Sequence, residues 1–553
     1  MKAKKYFKHT LLALVLLGTS GFAFVESDLF VVSKNIEIFS NIYKELNETY
    51  VDEVEAAGLM RTGITAMLKK LDPYTNYITE AQIEGARLRR FASGGDIGVK
   101  VGKLGDQVVV EEVLEGLPAD AAGIKPGAII KEIDGKKVSD KAISEIALFI
   151  EGQPDTEVEL LVQAYGKTTD ETLFIKRAVI KPKDVTFSKM LNDSVGYVRL
   201  STFLSPACGK FVQGEIAKLT EENENFKYLI FDLRGNPGGY LREAIIINNI
   251  FVEKGEMLVK TSGRDPDEAK EYKAMVDPAY PDLPLVVLTN GKSASASEIV
   301  SGTMQDLDRG VVIGQRTYGK GLVQQTKDIG FNSKLKVTVA KYYIPTGRCI
   351  QAVDYYGEYT DNGAATIPDS LKNEFLTKNG RKVYDNSGVA PDIATDKGEK
   401  NPFIEGLQSE KAIFQYANEY QLEHDSIVAP LAFKFTDADF DGFVEFVQGN
   451  KIDFESKTEE ALTKLQKSTK DENYFDTVKG NLTALQTKID DLKKKEIYKH
   501  KDELKELLKY EILSRYHYER GRLEASLNDD PNVQEAFRLF GDMDEYNKIL
   551  AKK

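Results

Sequence analysis

Tyr228-Leu229-Ile230-Phe231-Asp232-Leu233-Arg234-Gly235-Asn236-Pro237-Gly238-Gly239 is an apolar run that ends on a charged turn with paired glycines. A short run of this kind, bounded by Gly and Pro, reads as a buried strand. Val195-Gly196-Tyr197-Val198-Arg199-Leu200, Leu285-Val286-Val287-Leu288-Thr289 and Gly310-Val311-Val312-Ile313-Gly314 have the same form, with helical stretches between them. That alternation, from Val195 to about Asp392, predicts a mainly parallel sheet buried on both faces, with any chemistry at its strand ends. The glycines after Asp232 let backbone amides come close to a substrate carbonyl. They equally suit a tight turn before the next helix.

Working outward, Ser293-Ala294-Ser295-Ala296-Ser297-Glu298-Ile299 follows one strand, and Lys320 stands 25 residues after Ser295, between Gly319 and Gly321. The four histidines are His9, His424, His500 and His517, so the region between the first two contains none. A Ser-His-Asp triad and an imidazole zinc site are therefore excluded there. A serine nucleophile in this region needs another base, and lysine serves if its ammonium is neutral in an apolar setting. Lowering a lysine pKa from ~10.4 to about 7–8 costs roughly 3–5 kcal/mol. Tyr318, Leu322 and Val323 suit that demand, and the nearest acidic residue in sequence is Asp328.

Ser-x-x-Glu is also the capping-box pattern, so Ser295 reads as a helix N-cap as well. A nucleophile at a helix N-terminus has free amides and the positive dipole end beside it. Ser293 and Ser297 remain candidates, since spacing does not choose among the three. Gly314 to Lys320 matches G-x-x-x-x-G-K, but Gly321 replaces the magnesium-binding Ser or Thr and a strand follows where a helix is required, so a phosphate loop is rejected. Asp306 sits ~16 Å along a helix from Ser295 and reads as structural. Gln324 shares a strand face with Lys320, four residues on, ~13 Å away along the strand.

The 553-residue chain implies several domains. Its net charge of −13 argues against a nucleic-acid partner. Two cysteines, Cys208 and Cys349, form no disulfide framework, and sequence leaves their pairing open. Residues 1–23, with Lys2, Lys4, Lys5 and Lys8 before the apolar run Leu11–Leu17, read as a secretory signal. An uncleaved anchor is the alternative, although the apolar span of about 15 residues is short of the ~20 that cross a bilayer. Residues 24–92 form a helical region, with Ile36, Phe39, Ile42, Tyr43 and Leu46 at helical spacing and a turn at Asp72-Pro73-Tyr74. Residues 93–180 hold alternating strands, residues 181–400 the βα core, and residues 401–553 a helical C-terminal domain with Asp530-Pro531 as a helix start.

Leu117-Pro118-Ala119-Asp120-Ala121-Ala122-Gly123-Ile124 followed by Ile133-Asp134-Gly135 resembles a PDZ domain of the bacterial protease type. By that resemblance Ile97-Gly98-Val99 is the loop whose amides hold a peptide carboxylate. With Tyr50–Val54, Leu71–Thr75, Asp232–Gly239, Ser293–Asp306, Thr317–Gln324 and Tyr342–Gln351, the ordered set from about residue 36 to 395 resembles the C-terminal processing peptidases, or tail-specific proteases. The insert after Gln351 and the helical tail resemble the form found in the Bacteroidetes group.

The resemblance implies an α/β multidomain fold, with a core sheet of the crotonase and Clp-protease superfamily and an inserted PDZ domain. It implies Ser295 as nucleophile, Lys320 as general base and Gln324 as the residue that positions Lys320. The oxyanion hole would combine Ala296 with Gly238 or Gly239. The expected function is a serine endopeptidase of the periplasm or cell envelope, associated with the inner membrane if the leader is retained, that cleaves exported proteins near their C-termini and needs no metal or cofactor. Expected partners are unstructured protein C-termini, a second copy of the chain, and an adaptor on the C-terminal helices. Two other classes stay open: a latent PDZ scaffold that needs a partner, and a crotonase-type acyl-CoA enzyme suggested by the core sheet alone.

Overall fold

The computed structural model describes residues 28–84, 94–180, 183–355, 367–396, 401–450, 452 and 456–551. The leader expected over residues 1–23 and part of the insert after Gln351 lie outside them. The chain falls into two compact units, one ending at Tyr77 and one beginning at Ile78. The first contains α1 (Asp28–Thr49) and α2 (Ala56–Lys69). Tyr43 OH donates to the Ala56 carbonyl at 2.9 Å. The turn at Asp72 is held by its own carboxylate, which accepts from Tyr74 N at 2.8 Å and Thr75 N at 2.7 Å.

The second unit opens with an antiparallel sheet of β1 (Val99–Leu104), β2 (Gln107–Val113), β3 (Ile129–Ile133), β4 (Glu157–Gln163) and β5 (Asp170–Lys176), in that spatial order. Val158, Leu160 and Val162 alternate inward along β4, the period-2 pattern of a sheet with one buried face. α3 (Ile143–Ile150) buries Ile146 and Ile150 against the same core and lies beside β1, which is a terminal strand of the sheet.

The expected parallel sheet follows. β6 (Val185–Met190) pairs antiparallel with β7 (Val195–Leu200), and β8 (Tyr228–Asp232), β11 (Leu285–Thr289) and β12 (Val311–Gly314) continue the sheet in parallel. The two strands omitted from that series, β9 (Met257–Gly263) and β10 (Lys270–Lys273), belong to a separate antiparallel layer. That layer also holds the hairpin β13 (Leu322–Gly330) and β14 (Ser333–Tyr343), with β14 paired to both β13 and β9.

Both faces of the parallel sheet are covered, which explains its unbroken apolar strands. On one face Val198, Leu229, Phe231 and Val287 pack with residues of α4 (Cys208–Glu222), α5 (Leu241–Asn248) and α6 (Ala296–Asp306). On the other, Tyr197, Ile230, Val286 and Ile313 pack with Leu523, Val533, Leu539, Phe540 and Tyr546 from the end of the chain. The C-terminal helices are thus a structural layer of the α/β core as well as a bundle with its own apolar centre around Tyr416, Phe440, Phe443, Leu504 and Ile512. They also touch the connections of the first sheet, where Tyr518 OH donates to Asp120 at 2.8 Å and Tyr165 OH to Glu419 at 3.3 Å. Cys208 and Cys349 are both buried and free.

Candidate active site

Ser295 is the N-cap of α6 and stands at φ 56° and ψ −113°. A non-glycine residue held there costs about 1–3 kcal/mol, a strain that surrounding structure must impose. The imposing structure is the 233–239 turn. Ser293 Oγ donates to the Leu233 carbonyl at 2.8 Å, Ser297 Oγ to the Asn236 carbonyl at 2.9 Å, and Ala294 N to that same carbonyl at 3.0 Å. Ser293 and Ser297 are therefore fully buried pins, and Ser295 is the part-exposed serine of the three.

Glycine is obligatory where the turn meets this elbow. A Cβ on Gly238, at φ 94°, would lie 2.8 Å from both Ser295 Cβ and Ala296 N. One on Gly239, at φ 155°, would lie 2.5 Å from the Phe203 carbonyl. The Gly238 N–H donates to Asn236 Oδ1 at 2.9 Å. Neither Gly239 N nor Ala296 N, which opens the helix, has a hydrogen-bond partner among the described residues.

Glu298 organises the rest. Its Oε2 accepts from Ser295 N and from Lys320 N, each at 2.8 Å, so those backbone nitrogens lie no farther apart than twice that distance. Its Oε1 accepts from Thr317 Oγ1 and Gly319 N, both at 2.6 Å. Burial pushes the carboxyl up to about 6, although the hydrogen bonds from Thr317, Lys320, Gly319 and Ser295 pull the other way. Tyr342 links the same two residues through their carbonyls, with its hydroxyl against that of Ser295, at 3.1 Å, and that of Lys320. The 317–321 loop is anchored further by Tyr318 N to the Ser293 carbonyl at 3.0 Å and Gly321 N to Gln351 Oε1 at 2.8 Å.

The fold thus brings Ser295, Ala296, Gly238, Gly239 and Lys320 to one place. Gln324 follows on β13, next to a register shift between Val323 and Gln324, and its Nε2 donates to Thr338 Oγ1 at 3.2 Å. Asp306 is structural, as its helical distance implies: it takes Arg348 at 2.8 Å and Thr346 Oγ1 at 2.7 Å. The expected carboxylate loop 97–99 lies at the start of β1, where Gly98 N donates to Asp96 Oδ1 at 2.9 Å and the Ile97 carbonyl accepts from Ala119 N at 2.8 Å. Sequence reasoning took Glu298 only as a cap and gave Tyr342 no role of its own. The Ser-x-x-Glu spacing was the signal for Glu298, but nothing local reveals that its carboxylate also reaches Thr317, Gly319 and Lys320.

Comparison with known proteins gives three matches to family models: Peptidase family S41 over residues 194–357, PDZ domain over 87–163, and Probable PDZ-protease, C-terminal helical domain, over 403–540. A probable CtpA-like serine protease of Staphylococcus aureus (strain COL) is 32% identical over 347 residues, covering 62% of this chain and 68% of that protein. The carboxy-terminal-processing protease of Bartonella bacilliformis is 32% identical over 326 residues, 58% of this chain and 73% of that one. The solved photosystem II D1 C-terminal processing protease is 25% identical, covers 65% of this chain and 92% of its own, and superposes with a TM-score of 0.36. The chain belongs to peptidase family S41, as a PDZ-bearing serine peptidase of the carboxy-terminal-processing kind.

Proposed function

We propose that this peptidase cleaves unstructured protein tails with Ser295 as nucleophile and Lys320 as general base. The observation that carries this reading is the single Glu298 oxygen bound to the backbone amides of both residues, which holds the two segments together. Ser295 Oγ attacks the scissile carbonyl carbon while Lys320 Nζ accepts the hydroxyl proton. The C–N bond then breaks, Lys320 returns the proton to the leaving amine, and water hydrolyses the acyl-enzyme by the same route. The developing oxyanion is received by Ala296 N at the helix start and by Gly239 N; the Gly238 amide is already committed to Asn236. Gln324 acts from β13 as a positioning residue for Lys320.

Substrate tails add as a strand to the open edge of β1, beside α3, with Val99, Val101 and Ile143 as apolar floor. A terminal carboxylate there either displaces the Gly98–Asp96 bond or uses the amides flanking it. The leader directs export to the cell envelope; intact-mass analysis of protein from the host would contradict this if residues 1–23 remained on a cytosolic product.

The test is digestion of an unfolded reporter, with and without an apolar C-terminal tail, by the wild type, Ser295→Ala and Lys320→Ala. Tail-dependent cleavage absent from both variants is expected. Cleavage retained by either variant would sink the assignment of that residue, and cleavage indifferent to the tail would sink the PDZ route.

A further inference from the structure

We propose that Asp530, at the start of a C-terminal helix, is a positioning residue for the turn that carries Gly238 and Gly239, acting through Arg234. This rests on the reading of Ser295 and that turn as the catalytic centre. Arg234 opens the Arg234–Gly239 turn, and its guanidinium is clamped between two carboxylates. Nε and Nη2 donate to Asp232, the last residue of β8, at 3.0 and 2.7 Å, and Nη1 donates to Asp530 Oδ2 at 2.6 Å. Asp232 is itself fully buried and also receives Tyr197 OH and the Arg234 backbone N–H, the latter at 2.8 Å. Burial alone would push Asp232 up, yet Arg234 beside it holds its carboxyl below the ordinary range.

Among the described residues, Asp530 alone fixes the Arg234 side chain from outside the sheet. A part-buried guanidinium that loses one of two carboxylates turns toward water to recover its solvation. Arg234 is directly followed by Gly235 to Gly239, so its movement is passed to the amide proposed to receive the oxyanion. Asp530 also has a second, separable role, because its Oδ1 caps α7 (Pro531–Gly541), accepting from Asn532 N at 2.8 Å and Val533 N at 3.3 Å.

Substitution divides the two roles. Asp530→Asn keeps a good N-cap but presents no charge to Arg234, whereas Asp530→Glu keeps the carboxylate and weakens the cap. Steady-state digestion of a tailed, unfolded reporter by full-length protein, with melting curves for each variant, reads both. We expect kcat to fall about tenfold in Asp530→Asn, with KM within about twofold and a melting temperature no lower than that of Asp530→Glu, because Arg234 keeps its bonds to Asp232; the kcat loss is a fraction of what losing an oxyanion donor costs. Asp530→Glu is expected to recover most of kcat while melting lower. An Asp530→Asn kcat within twofold of wild type, or kcat losses that follow melting temperature in both variants, would overturn the proposal and leave the Ser295 reading intact. Equal inactivity of wild type and Ser295→Ala would overturn both.

Discussion

Glu298 adds its own step to the pH behaviour of this site. In the folded protein its proton is held up to about pH 6, above the ordinary 4.5. The protonated form therefore favours the fold, and that contribution, about 2 kcal/mol, is complete below 4.5 and lost as pH rises through 6. Relative to wild type, Glu298→Gln should accordingly gain stability between pH 4.5 and 6; a melting series in which the difference is flat or reversed would refute the assignment. Activity has the opposite sign, because a protonated Glu298 cannot accept from Ser295, Thr317, Gly319 and Lys320 together. Wild-type cleavage should show a further step as pH drops through about 6, below the limb set by protonation of the Lys320 base, and Glu298→Gln should lose that step along with roughly ten- to hundredfold of kcat. Asp306 behaves differently, since its partner Arg348 is buried with it. Asp306→Ala should cost about 3–5 kcal/mol, measured by urea unfolding, by leaving that cation unpaired. A loss under 1 kcal/mol would show the pair to be dispensable. Asp306 was legible as structural from helix geometry alone, whereas the reach of Glu298 to Thr317 and Gly319 was not, because those contacts are 19 and 21 residues away in sequence.

At the scale of elements, the strand after Asp232, the glycine turn and the helix beginning at Ala296 all follow from local pattern. Apolar runs bounded by Gly and Pro specify buried strands, and Ser-x-x-Glu specifies a helix start, whatever surrounds them. Local pattern left three serines equivalent, and only the approach of the 233–239 turn separated them by drawing the hydroxyls of Ser293 and Ser297 into its carbonyls. The long hairpin β13–β14 adds Tyr342, whose place between the Ser295 and Lys320 carbonyls depends on strand register. Tyr342→Phe should lower kcat about three- to tenfold with an unchanged fold, a loss typical of one hydrogen bond. Circular dichroism together with steady-state kinetics would check it, and unaltered kcat would mean that the hydroxyl does not help to hold the pair.

At the scale of the whole molecule, the end of the chain completes the protease core. Tyr546, fully buried, accepts from Leu285 N at 3.0 Å and donates to the Leu285 carbonyl at 3.1 Å, at the entry of β11. Tyr546→Phe should cost about 1–3 kcal/mol in denaturant unfolding, since it strands the buried Leu285 amide. Removing residues 531–553 should give insoluble protein because Ile230, Val286 and Ile313 lose their cover; a soluble, active truncation would contradict that layer. The amino-acid sequence by itself determined the buried parallel sheet, the helix that begins behind Ser295 and the strand that follows Lys320, because hydrophobic period and Gly, Pro and Ser placement act within a few residues. Only the tertiary structure decided that the tail, read from sequence as a helical C-terminal domain, covers the second face of that sheet and sets Asp530 against Arg234. An apolar helical face specifies that it must be buried, but not which distant surface buries it.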